Sequence, residues 1–523
     1  MGHQEIIEDK AMFLRAKFLQ LEAEKPVVIL NKEDAAELGI RPLERVELCF
    51  REKKLVAIVN VARRIVREGE VGLYEEIQEG FDVRPNEKIR VEPASPPKSL
   101  VFIKKKLLGQ TLTPKELHAI INDTVNRRLS EIELTAFVMA LYNRGMSMNE
   151  AASLSEAMAM TGKTLKLRSK AIYDKHSVGG CPGDKTSIVV VPIVAAAGLT
   201  IPKTSSRAIT SPAGTADRFE CIAPVNLSLE EVRRVVNKTN ACLVWGGAVD
   251  LAPADDIFIR IEYPLSIDPF LLPSVMSKKK AVNAKYVVID VPTGKETKIR
   301  TKDEFENLAN EFIQLGKKLG IKVECISTFA DQPIGNCVGP MLEAKEALTT
   351  FIKGHGAPDL VDKATTLAGE LLEFAGAKNG KQAALEILRT GKAYKKLREI
   401  IEAQGGNPDI KPDDLTPGCK VAEFKSSKSG KVLWISNKAV DITAREAGAP
   451  RDKGAGIYFR KKLGDKVHKG EILFELYADK TNKFSRAVEL VRKLNVIGVG
   501  RERGMLLEEL PAPEEERYFI LER

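Results

Sequence analysis

One feature restricts the fold more than any other: an alternation of strand-like and helix-like periodicity through the middle of the chain. Ala241–Val244 and Tyr286–Val291 are short apolar runs that read as buried strands. Lys302–Gly320 instead places Phe305, Leu308, Phe312, Leu315 and Leu319 at spacings of three and four, which is a helix with one apolar face. Lys322–Ser327 returns to a strand, and helices fill Asp359–Gln404. Strands interleaved with helices bury both kinds of apolar face as a sheet covered by helices. An α/β domain is therefore expected here, assigned a mixed sheet.

The flanks follow other rules. Up to about Pro97, runs such as PVVILN from Pro26, RVELCF from Arg45 and LVAIVN from Leu55 alternate with turns and predict a β-rich domain. The prolines of Glu92–Lys98 (EPASPPK) can continue neither a ladder nor a helix, so this stretch reads as a linker. Thr113-Pro114-Lys115-Glu116, Ser130–Glu133 and Ser147–Glu150 carry the spacing of helix capping boxes and predict a helical unit. From about Leu415, short strands at Lys431–Ile435 and Ala455–Phe459 announce a separate α+β domain. The hairpin GDKVHKGEIL in that domain lacks a lysine in an acceptor turn, so it reads as structural rather than as a carrier for a prosthetic group. The expected boundaries are 1–97 (β-rich), 98–165 (helical), 166–410 (α/β) and 411–523 (α+β).

At 523 residues the chain is too long for one ordinary domain, and its 44% hydrophobic content supplies a sizeable core. Its 81 basic residues exceed the 72 acidic ones, a net charge of +9. The two signs are interleaved, with no basic tail or stacking motif, which argues for a small phosphate-bearing substrate and against nucleic acid. No apolar run reaches the roughly 20 residues that span a bilayer. The opening MGHQEIIEDK has no apolar signal core, and the 7 cysteines form no CxxC pair, so a reducing cytoplasm is the expected location. HxxxH and EF-hand patterns are missing as well, so neither a metal centre nor a cofactor is expected.

Two stretches carry chemistry. The first is Lys175-His176-Ser177-Val178-Gly179-Gly180, continuing through Cys181-Pro182-Gly183-Asp184-Lys185-Thr186-Ser187. Its glycines let backbone N–H groups turn toward an anion, Lys175 adds charge, and Ser177 and Ser187 add hydroxyls; the GxxxxGK[ST] spacing is absent. An ordinary surface loop fits the same residues. The β-branched run Thr186–Val194 that follows has strand propensity, yet its position after a glycine-rich loop favours a helix with its N-terminus at the anion. The second stretch, Thr204 to Asp217, packs hydroxyls around Arg207, whose guanidinium can fork onto phosphate oxygens. A solvent-facing hydroxyl-rich loop is the plain alternative. His176 belongs to no Ser/His/Asp order and reads as a residue that positions the loop.

Together these stretches resemble the thymidine/AMP phosphorylase family, whose signature pairs a KHS-x-GG loop with a serine-arginine segment ending in GT-x-D. WGGA at Trp245–Ala248, PADD at Pro253–Asp256, the block Pro264–Lys280 ending in SVMSKKK, Ala284–Lys298 and Thr443–Ile457 match in the same order. The N-terminal domain and Ser-Ser-Arg-Ala-Ile-Thr-Ser make the chain more similar to the archaeal-type AMP phosphorylases than to the shorter thymidine enzymes.

The resemblance implies a discontinuous helical domain that recruits about 254–283. It implies a pentosyltransferase that splits the N-glycosidic bond of a nucleoside 5′-monophosphate with inorganic phosphate: AMP, with CMP and UMP open, giving the base and ribose 1,5-bisphosphate for nucleotide salvage. A thymidine or other pyrimidine nucleoside phosphorylase is the alternative. By the same resemblance Asp268 is the proton donor to the leaving base, although an Asp-Pro pair taken by itself reads more readily as a turn or N-cap, and only the matched context reverses that. Gly180, Ser206, Arg207, Ala208, Ile209, Thr210, Ser211, Thr215, Ser274 and Lys298 would contact the nucleotide. Lys175, Ser177, Ser187 and Ser205 would hold inorganic phosphate. The chain is two residues shorter than the usual family spacing between Asp268 and Ser274. A homodimer or higher homo-oligomer is expected.

Overall fold

Between Met12 and Pro93 six short strands close into a barrel, in the order Met12–Phe18, Glu70–Leu73, Val27–Asn31, Lys53–Ala62, Arg45–Phe50 and Lys88–Pro93. The structure, a computed structural model, describes residues 11–23, 25–208 and 211–501. Closure leaves no unpaired edge. Val28, Leu30, Val46, Leu48, Val59 and Val91 fill the barrel interior.

The chain divides into two compact units. One comprises Met1–Leu165, Asp250–Asn283 and Gln314–Gly320; the other comprises Lys166–Val249, Ala284–Ile313 and Ile321–Arg523. The first holds the barrel and a helical bundle. Its helices Pro114–Val125, Glu131–Arg144 and Met148–Met160 each begin at a capping box, on Thr113, Ser130 and Ser147. The later helix Pro253–Leu265 joins them through Phe258, which stacks on Phe270 at 4.3 Å, while Phe137 meets Phe270 edge-on at 6.0 Å.

In the second unit Tyr173–Ser177, Tyr286–Thr293 and Lys322–Phe329 form a three-stranded parallel sheet centred on Tyr286–Thr293. A bridge between Ile172 and Thr200 extends it toward the parallel pair Ile201–Ser205 and Ala241–Trp245. Each described pairing in this sheet is parallel. The expected mixed sheet is therefore replaced by a parallel one, because consecutive strands here are joined by helical crossovers rather than hairpins. The α+β part carries two small antiparallel sheets. One orders Cys337–Val338, Gly456–Phe459, Ile472–Ala478 and Lys420–Lys425; the other orders Lys466–Val467, Gly430–Ile435 and Ile497–Gly500.

Thr186–Ala196 is a helix, as the preceding glycine-rich loop suggested. Its β-branched residues lower helix propensity, but Ile188 to Val194 are buried on every face. A helix that is apolar all round belongs in a core, and burial overrides propensity here.

In the bundle, Glu150 is a buried keystone. One of its oxygens accepts from Lys106 Nζ at 2.8 Å and Leu112 N at 2.9 Å, and the other from Ser147 N at 2.9 Å. Both side chains of the Lys106–Glu150 pair are 4% exposed. Glu150→Ala leaves a buried ammonium unpaired and is expected to cost about 3–5 kcal/mol. A lowered midpoint of chemical denaturation checks this, and Glu150→Gln, which keeps one acceptor oxygen and the side-chain volume, should lose less.

Candidate active site

The strand Tyr173–Ser177 delivers Lys175 into the interior, where it is 1% exposed. Its Nζ donates to Ser187 Oγ at 3.3 Å and lies 3.5 Å from Asp290 Oδ2. Asp290 arrives from the adjacent strand, and its Oδ1 accepts from Thr328 Oγ1 at 2.7 Å. Lys363 reaches in from the helix Pro358–Phe374, with Nζ 3.0 Å from Asp290 Oδ2 and 3.0 Å from Asp184 Oδ2. Asp184 Oδ1 accepts from Thr186 N at 3.2 Å, its Oδ2 from Ser177 Oγ at 3.5 Å, and its backbone oxygen from Arg218 Nη1 at 2.8 Å. Two lysines thus face two aspartates with no net charge, at the carboxyl end of the sheet and the start of a buried helix.

Electrostatics follow from that pairing. Burial acts to raise the Asp184 carboxyl, but Lys363, Lys175 and the Thr186 hydrogen bond outweigh it and hold the group far below the usual carboxylate range. Burial acts to lower the Lys363 ammonium, and Asp184 and Asp290 more than reverse this, so it stays charged. Lys175, Ser177 and Ser187 are thus gathered beside Asp184 at the start of the helix Thr186–Ala196.

Gly179 and Gly180 turn with φ of +85° and +94°, a region that favours glycine. A β-carbon on Gly180 would stand 3.3 Å from Lys298 N, so the structure brings Gly180 and Lys298 together. Ser205, at the end of Ile201–Ser205, donates its Oγ to Val244 O at 3.2 Å.

The second stretch folds around Asp217. Asp217 Oδ2 accepts from Ala208 N at 2.7 Å and Gly214 N at 2.9 Å, and Oδ1 accepts from Arg207 Nη1 at 3.1 Å. Gly214 is required here, because a β-carbon would meet Ser206 O, Arg207 C and Ala208 N at 2.6 Å. Ser206 O accepts from Ala216 N at 3.4 Å, Ser211 donates to Ala213 O at 3.1 Å, and Thr215 opens the helix Thr215–Phe219. Ile209 and Thr210 lie outside the described residues. Arg207 is already engaged: Glu220 accepts from its Nη1 at 2.9 Å and its Nη2 at 2.6 Å, and Asn226 accepts at 3.2 Å.

Asp268 and Ser274 belong to the other compact unit. Asp268 O accepts from Leu271 N at 3.3 Å before the helix Leu271–Ala281, in which Ser274 sits. Lys278, in that helix, pairs with Asp255 at 2.6 Å. Burial acts to lower the Lys278 ammonium, while Asp255, Asp256 and Asp268 raise it above the usual lysine range.

Sequence reading missed the roles of Asp184, Asp290, Lys363 and Arg218. Two signals were available: an aspartate inside the apolar run YVVIDV, and a lysine on the stripe Leu360, Lys363, Ala364, Leu367 that otherwise packs in the core.

A parallel sheet with a glycine-rich loop at its strand ends, in a chain that also carries a helical bundle, is the architecture of a glycosyltransferase class that the chain matches. Residues 169–394 match the model described as "Glycosyl transferase family, a/b domain", residues 101–162 its helical bundle domain, and residues 432–498 the pyrimidine nucleoside phosphorylase C-terminal domain. A solved anthranilate phosphoribosyltransferase from Thermus thermophilus shares the fold, with TM-score 0.50 and 20% identity over 58% of this chain and 98% of its own. The curated AMP phosphorylase of Thermofilum pendens is 47% identical over 98% of this chain and 100% of its own length. That of Thermococcus kodakarensis is 47% identical over 95% and 99%. The chain belongs to the AMP phosphorylase family.

Removing the shared cation tests the site's architecture. Lys363→Met leaves two buried carboxylates short of a partner, with an expected cost of about 3–5 kcal/mol in chemical denaturation. Adding Asp290→Asn should restore part of it. Because the Asp184 carboxyl is depressed in the folded state, its contribution is present above about pH 4 and lost as pH falls below that. An unchanged midpoint for Lys363→Met would show that the network adds nothing.

Proposed function

We propose that this enzyme phosphorolyses AMP reversibly, releasing adenine and ribose 1,5-bisphosphate, with CMP and UMP as further candidate substrates. The observation that carries the reading is similarity over the whole chain, 47% across 98% of it, to a relative bearing that name. In the reaction a phosphate oxygen forms a bond to C1′ as the glycosidic bond breaks, and the base leaves with a proton. Lys175, Ser177, Ser187 and Ser205 are the proposed holders of inorganic phosphate. The convergence of Lys175, Ser177 and Ser187 at the start of the helix Thr186–Ala196 supports this, since a charge and two hydroxyls there can meet an anion.

Gly180, Ser206–Ser211, Thr215, Ser274 and Lys298 are proposed to hold the nucleotide, with Arg207 and Lys298 its phosphate cations. Asp268 is the proposed acid. A pyrimidine nucleoside phosphorylase is the second reading, favoured by the match at residues 432–498.

Turnover of AMP, adenosine and thymidine side by side separates the two. AMP should far exceed adenosine in kcat/KM, because an empty phosphate site forfeits several charge-assisted hydrogen bonds of roughly 1.5–3 kcal/mol each. Equal values would remove the nucleotide reading, and a preference for thymidine would install the second one. Asp268→Asn should lower kcat by about a hundredfold to ten-thousandfold with little change in KM for AMP. Near-full turnover would make Asp268 a turn residue only.

A further inference from the structure

Arg207 is held by acids in a way that its proposed task contradicts unless something releases it. Glu220 Oε1 accepts from its Nη2 at 2.6 Å, Glu220 Oε2 and Asp217 Oδ1 accept from its Nη1 at 2.9 and 3.1 Å, and Asn226 takes a further bond. The guanidinium also sits 5.1 Å over the Trp245 ring. The Glu220 hydrogen bond is the main cause raising Arg207 above its ordinary range, and the Arg207 hydrogen bond is the main cause lowering Glu220 to about 2. A phosphate arriving at Arg207 therefore competes with a carboxylate. Stripping a partly buried carboxylate of its cation carries a penalty that can exceed the gain.

A second cation is already in place. Lys453 Nζ lies 2.7 Å from Glu220 Oε2, the oxygen that Arg207 Nη1 uses, 3.8 Å from Asp217 Oδ1, and 3.4 Å from Asp217 O. Its backbone oxygen is fixed by Met341 N at 3.1 Å. Both acids thus have one cation that can leave and one that can stay.

We propose that Lys453 is a positioning residue for nucleotide recognition: it keeps Glu220 and Asp217 neutralised while Arg207 swings from Glu220 to the substrate's phosphate. This rests on the reading of Arg207 as a holder of that phosphate. Discrimination between nucleotide and nucleoside is then set by three residues acting together, with Glu220 as the latch, Lys453 as the retaining charge and Arg207 as the moving one. Sequence context alone conceals this, since Lys453 lies 246 positions from Arg207 by their numbering.

The test is steady-state kinetics with AMP and inorganic phosphate varied separately, on the full chain, after a thermal melt. Lys453→Met is expected to raise KM for AMP about tenfold or more, with kcat and KM for inorganic phosphate largely kept, and Lys453→Arg should restore it. Glu220→Gln, which unlatches Arg207 without needing a cation, should rescue Lys453→Met when the two are combined. If the double variant is no better than Lys453→Met, Lys453 acts on the substrate itself and the positioning role is wrong. If Lys453→Met leaves KM for AMP unmoved, the role is also wrong. Arg207→Ala separates the two failures. A raised KM for AMP in Arg207→Ala with no effect of Lys453→Met sinks only the hand-off, whereas no effect of Arg207→Ala removes the underlying reading.

Discussion

The pairing of Lys175 and Lys363 with Asp184 and Asp290 is the constraint on which the α/β part of the molecule depends. All four are buried or nearly so, and each comes from a different element: the strand Tyr173–Ser177, the helix Pro358–Phe374, the loop before Thr186, and the strand Tyr286–Thr293. Charges placed so deep are tolerated only when matched and hydrogen-bonded. The network therefore fixes the register of two strands, the approach of one helix and the path of the glycine-rich loop at once.

Asp217 does for the second loop what that network does for the first. One carboxylate oxygen collects the N–H groups of Ala208 and Gly214, and the other takes Arg207, so the hydroxyl-rich segment is drawn around a single anion. Its proximity to Glu220 creates an excess of negative charge, which Arg207 and Lys453 offset together.

Much of this was legible in the sequence, for identifiable reasons. Capping boxes at Thr113, Ser130 and Ser147 are local, and they formed as read. The three-and-four spacing of Phe305 to Leu319 gave the helix Lys302–Leu319, and the apolar runs gave strands at Ala241–Trp245 and Tyr286–Thr293. The parallel sense of the sheet was available in the strand–helix alternation, because strands joined by helical crossovers run parallel, and the expectation of a mixed sheet overlooked it. The loop at Lys175–Ser187 announced itself through its glycines, whereas its counter-ions did not: Asp290 and Lys363 stand 115 and 188 positions from Lys175 by their numbering, and only their incongruity within apolar surroundings marked them. The engagement of Arg207 by Glu220 is likewise a tertiary fact, since the two stand 13 positions apart and no local pattern pairs them.

In the proposed reaction inorganic phosphate, not water, replaces the base on a sugar that already bears a phosphate. Phosphorus NMR of the protein with AMP and inorganic phosphate tests this directly. Inorganic phosphate should disappear in step with AMP, adenine should accumulate, and a ribose carrying two phosphate monoester signals should appear in equal amount. Accumulation of ribose 5-phosphate with inorganic phosphate unconsumed, or no reaction of AMP at all under conditions where thymidine is consumed, would contradict it.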